Sequence, residues 1–61
     1  MKVDYDFMLS QVDEEIRQID DLIAAEKLAG NVVKEAAAQG ERVAFVKLQA
    51  WITRLQKLEA P

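Results

Sequence analysis

Apolar side chains recur at Tyr5, Leu9, Val12, Ile16, Ile19 and Ile23, in alternating steps of four and three residues. That spacing belongs to a helical seam, not to a strand. At about 100° per residue these side chains, with Met8 and Leu22, fall in an arc of about 140°. Asp6, Asp13, Glu14, Arg17, Asp20 and Asp21 lie outside it, Phe7 and Leu28 miss it, and Glu15 and Glu26 sit within it. Asp4 suits the N-cap. Ala29-Gly30-Asn31 supplies the stop, because Gly30 tolerates the left-handed conformation after a helix and Asn31 suits the cap of the next one. The pattern predicts a helix over residues 4–29.

A second amphipathic segment follows over 32–59. Val33, Ala37, Gly40, Ala44, Phe45, Leu48, Trp51, Ile52, Leu55 and Leu58 share another arc of about 140°, and Val46 points away from it. The step from Ala44 to Leu48 is a stutter in the repeat that slightly unwinds a supercoil. KEAAAQ favours helix strongly. Gly40 costs about 1 kcal/mol relative to alanine inside a helix, so it is the place for a break into segments 31–39 and 41–59. Pro61 cannot extend the helix.

Two long segments joined at one Gly-Asn turn predict an all-α fold, an antiparallel helical hairpin that forms one domain over 1–61. The expected register pairs residues whose numbers sum to about 60. It sets Ala37, Gly40 and Ala44 against Ile23, Ile19 and Ile16, and brings Asp13 near Lys47, Asp6 near Arg54 and Glu26 near Lys34. Residues 1–28 carry three basic and eight acidic groups, against five basic and three acidic over 29–61, so the arms attract each other.

A stripe 140° wide exceeds what one neighbouring helix covers. A chain of 61 residues is also short for a self-sufficient core, since such domains bury only about 60% of their unfolded surface. With no Cys and no His in the sequence, disulfides, thiolate sites and imidazole ligation are unavailable. Self-association is the remedy left. The expectation is a homodimer or higher oligomer, two hairpins closing into a four-helix bundle through Leu9, Ile16, Ile19, Ile23, Phe45, Leu48, Trp51, Ile52 and Leu55.

Chemistry is sparsely provided. Neighbouring carboxylates such as Asp13-Glu14-Glu15 or Asp20-Asp21 diverge on a helix, whereas acid-base pairs must converge on one substrate. Glu15 and Glu26 share a face, but carboxylate-bridged bundles also require His. Ser10, Thr53 and Tyr5 have no base to activate them, and neither glycine belongs to a phosphate-binding motif. No catalytic residue, cofactor or metal is expected, and the chain reads as a non-enzymatic interaction and assembly module.

A net charge of −3 and a pI near 4.7 disfavour nucleic-acid backbone binding. No apolar run reaches the roughly 18 to 20 residues of a membrane span, and MKVDYDFML lacks a long signal-type apolar region, so the expected location is cytoplasmic. The acidic first segment, led by Asp6, Asp13, Asp20 and Asp21, offers a face to a basic protein partner, with Phe7 as a further contact candidate. Such a face also suits a small inhibitor or chaperone of a basic protein site.

GNVVKEAAAQGERVAF with the downstream LQAWITRLQKLEA resembles the small head-tail joining proteins of tailed bacteriophages, the lambda W protein family, over about half the chain. The resemblance implies a helix, a β-hairpin and a second helix. Gly30 would precede the first strand, Gly40 would lie in the hairpin turn, Arg42, Val43 and Phe45 on the second strand, and Leu48, Ile52 and Leu55 in the closing helix. Ala36-Ala37-Ala38 departs from this pattern, being poor strand material. The implied role is a ring-forming virion component between portal and tail.

Overall fold

The computed structural model describes residues 3–60. Asp4 starts the first helix, α1 (Tyr5–Ala29): its Oδ1 accepts a hydrogen bond from the Phe7 backbone N–H at 2.9 Å, which satisfies one of the free donors of the first turn. Gly30 ends it with φ 73° and ψ 18°, a left-handed conformation that glycine adopts without Cβ strain. The Asn31 N–H reaches the Glu26 carbonyl at 3.0 Å and the Gly30 N–H reaches that of Lys27 at 3.2 Å. This bond pair closes the helix end as a Schellman motif.

The second helix, α2 (Val32–Glu59), begins at once. Asn31 occupies its N-cap, but the side chain makes no capping bond and donates instead through Nδ2 to Glu26 Oε2 at 2.7 Å. α2 runs unbroken through Gly40, so the break considered there does not occur, and the β-hairpin implied by the phage resemblance is absent from residues 30–45. Intrinsic preference explains this, since alanine and glutamate around the glycine favour helix enough to carry it. Ala60 is extended at φ −65° and ψ 137°, as a residue before proline tends to be. Pro61, expected to stop the helix, lies outside the described residues.

The two helices pack antiparallel along their length. Gln56 Nε2 donates to Asp6 Oδ1 at 3.0 Å, Gln49 donates to Asp13, and Arg42 Nε donates to Asp20 Oδ1 at 2.6 Å. Each pair sums to 62, so the register lies about two residues from the expected one. Asp6, Asp13 and Glu26 therefore bond to Gln56, Gln49 and Asn31 where Arg54, Lys47 and Lys34 were expected.

α2 is also turned on its axis. Apart from Thr53, its half-buried and buried positions are Glu35, Ala38, Arg42, Phe45, Gln49, Ile52 and Gln56, one residue on from the predicted centre line of Ala37, Ala44, Leu48, Trp51 and Leu55. One residue is about 100° of rotation. The inner row keeps an unbroken three-four repeat that matches Tyr5, Leu9, Val12, Ile16, Ile19, Ile23 and Glu26 on α1, whereas the predicted row stutters between Ala44 and Leu48. It also provides the partners for the aspartates. Ala37, Gly40 and Ala44 are consequently exposed and do not face the isoleucines.

Only Val12, Ile19, Ala38 and Ile52 are buried among the described apolar residues. Full burial of a Val or Ile side chain contributes about 1.5 to 3 kcal/mol, so this core is small. The hairpin measures 49 × 15 × 15 Å with a radius of gyration of 14.5 Å, against about 10.5 Å for a compact domain of this length.

Candidate functional site

Three surfaces run along the hairpin, and each follows from which side of its helix a residue occupies. The first is the seam itself. Leu9, Ile16, Ile19, Ile23, Phe45 and Ile52, expected at an interface between copies, lie within the chain's own helix pair as buried or half-buried residues. Hydrophobic pattern alone does not distinguish a seam within one chain from one between two.

The second surface is a polar flank. Asp6, Asp13 and Asp20 recur one heptad apart and therefore stack in a row along α1. Each accepts a hydrogen bond from α2, and Asp20 also forms an ion pair with Arg42. The three aspartates expected to meet a basic partner thus hold the register of the hairpin. Asp21 points elsewhere and is exposed, as is Phe7, which is 60% accessible on the side of α1 away from the seam. Sequence reasoning missed Arg42, Gln49 and Gln56 as the answering row. The available signal was their own heptad spacing, in antiphase to the three aspartates.

The third surface is apolar and lies on the outer side of α2. Val33, Leu48, Trp51, Leu55 and Leu58 are exposed there, Trp51 at 62% and Leu58 at 75%. Ala37, Gly40 and Ala44 continue the same stripe toward the turn and are exposed as well. On a helical wheel this stripe is centred about 125° from the seam, on the side opposite the aspartate bonds. Met8 and Leu22 are exposed on that same side of α1. Leu48, Trp51 and Leu55 are the three expected interface residues that the hairpin leaves uncovered.

A shallow open trough of about 420 Å³ runs beside the polar flank, lined by Val46, Gln49, Ala50, Thr53, Arg54 and Lys57 of α2 alone. Thr53 Oγ1 donates to the Gln49 carbonyl at 2.9 Å, and no buried side-chain polar atom among the described residues lacks a partner. No group of three or more acidic, His or Cys residues is arranged to hold a metal ion among the described residues. No helix among them is long and apolar enough to cross a membrane.

Hydrogen bonding shifts the titration of Glu14, Arg17 and Tyr5. Hydrogen bonds from Arg17, then from Gln18, hold the Glu14 carboxyl below its ordinary value, and the same Glu14 bonds raise Arg17. At the open end of the hairpin, hydrogen bonding to Glu59 raises the Tyr5 phenol, with desolvation and the Glu59 charge adding to it. These are local hydrogen-bond and charge effects between neighbouring side chains.

No protein family, curated protein or solved structure matches this chain.

Proposed function

We propose that this chain is a non-enzymatic assembly module in which the α1–α2 seam builds the unit and the outer face of α2 joins it to a second copy, giving four packed helices. The observation that carries this reading is the uncovered row Val33, Leu48, Trp51, Leu55 and Leu58. Isolated exposed apolar residues are ordinary, but a contiguous helical row of them marks a binding surface.

Area supports a second copy as the occupant. The hairpin exposes 4951 Å², whereas a compact monomer of its mass exposes about 4,000 Å². The surplus of about 950 Å² is close to the roughly 800 Å² that each partner contributes to a standard interface. One interface per chain therefore restores an ordinary ratio of surface to mass. Composition adds a reason for needing it, because the sequence contains no Cys or His with which to brace so small a core.

Sedimentation equilibrium from 1 to 100 µM tests the reading, with Trp51 emission followed in parallel. The expected result is a weight-average mass that doubles with concentration while the emission shifts to the blue as the indole leaves water. A well-folded single copy throughout, with red-shifted emission, defeats it.

A further inference from the structure

The outer row of α2 is unequal along its length. Toward the turn its residues are small, Ala37, Gly40 and Ala44, and toward the C-terminal end they are large, Leu48, Trp51 and Leu55. We infer that two copies join antiparallel about a two-fold axis between Ala44 and Leu48, with Trp51 of each seated over Gly40 of the other. This rests on the self-association proposed above and specifies its geometry.

The argument is one of fit. With facing residue numbers summing to 91 or 92, Leu48 meets Ala44 of the second copy, Trp51 meets Gly40, Leu55 meets Ala37 and Leu58 meets Val33. Leu48, Trp51 and Leu55 each then find a small residue, Leu58 meets Val33, and two-fold symmetry repeats each contact. Large-to-small alternation lets helices approach closely without voids. A parallel pairing instead sets Trp51 on Trp51 and leaves a gap at Gly40.

Gly40 supplies an independent reason. Its backbone is ordinary helix, since the only positive φ among the described residues is at Gly30. A Cβ built on Gly40 meets nothing within 4 Å. Neither a turn nor a close approach inside the hairpin therefore requires glycine there, although it weakens the helix relative to alanine. A tryptophan arriving from outside is a neighbour that needs the missing Cβ. The surplus area already described is sufficient to cover this row once per chain.

Spin labels decide the geometry, and the absence of native cysteine makes a single Lys34→Cys label unambiguous. Lys34 is exposed and off the row. In the antiparallel arrangement the two labels are displaced along the axis by about 35 Å, at 1.5 Å per residue. A distance distribution centred there, in a sample that sediments as a dimer, is the expected result. A dimer whose labels lie within about 20 Å, side by side on helices packed at about 8 to 10 Å, overturns the antiparallel inference and leaves self-association standing. A monomer at 100 µM or above overturns both.

A size exchange provides the second test. Gly40→Leu and Trp51→Ala should each weaken dimerisation by about tenfold or more, as loss of a central aromatic contact does. Gly40→Leu combined with Trp51→Ala should recover much of that loss, because the large and small partners have traded places. Purely additive losses in a double variant that remains helical would remove the Trp51–Gly40 pairing.

Discussion

α1 and α2 have nearly the same length, 25 and 28 residues, yet they use their apolar residues differently. α1 concentrates them in one row facing its neighbour: Leu9, Val12, Ile16, Ile19 and Ile23 are all buried or half-buried. α2 turns a mixed row inward, where Ala38, Phe45 and Ile52 alternate with Glu35, Arg42, Gln49 and Gln56, and leaves Leu48, Trp51, Leu55 and Leu58 outside. Apolar content therefore does not by itself decide which face of a helix is covered first. In α2 the row with the better register match to α1 forms the seam, although it is not the most apolar one.

The sharpest break of this contrast is a truncation in the seam. Ile19→Ala removes a buried side chain and should cost about 2 to 5 kcal/mol, enough to abolish the far-UV helical signal of so small a unit at 10 µM. Retention of full helicity would mean that the seam is not what holds the hairpin.

Truncation of the outer row should act on assembly instead. Trp51→Ala is expected to raise the half-association concentration by about 30- to 1,000-fold, corresponding to a hot-spot loss of about 2 to 4 kcal/mol. Its helical spectrum at saturating concentration should match that of the parent. Analytical ultracentrifugation with circular dichroism on the same samples reads both quantities, and loss of helix without a change in affinity would reverse the roles assigned to the two rows.

Gly40→Ala sharpens the comparison through opposed signs. The added Cβ meets nothing in the hairpin, so dilute protein should gain up to about 1 kcal/mol from helix propensity. Association should weaken at the same time. A rise in melting temperature that is largest at the lowest concentration is the expected signature.

The smallest expected effect is electrostatic and lies on the solvated side of α1. Glu14 is held below its ordinary value by Arg17 and Gln18, so its contribution to stability is present above the unfolded carboxyl pKa of 4.5. It is lost as pH falls through the lowered folded value. Carboxyl carbon shifts followed by NMR should place the Glu14 titration below that of free glutamate, and Arg17→Gln should return it toward the ordinary range. The outer row contains no comparable group, so association should be insensitive to the same titration.

Much of the fold was legible before any coordinates. Asp4, Gly30 and the three-four spacing of α1 act through bonds and contacts within a few residues, so the helix limits, the turn and the antiparallel pairing followed from them. Even the register was within about two residues, because the short turn allows little slippage. The rotation of α2 was not legible on a helical wheel. The wheel ranks faces by apolar area, and the widest apolar face of α2 is the outer one.

The candidate site was legible in part for the same reason. Leu48, Trp51 and Leu55, expected at an interface from the width of the apolar stripe, are left exposed by the hairpin. That Asp6, Asp13 and Asp20 bond to Gln56, Gln49 and Arg42 was not legible, because those donors are far away along the chain. Charge and spacing on one helix cannot show that a second helix supplies the answering donors.

Helix formation and termination depend on local preference and capping, and here the order of amino acids determined both unaided, along with the reversal of direction at Gly30. Which side of α2 turned inward was settled only by tertiary packing, since that choice required the repeat and the hydrogen-bonding rows of both helices to agree simultaneously. Leu48 and Trp51 stand outside because Gln49 and Ile52, one residue further on, meet α1 in step with its own repeat.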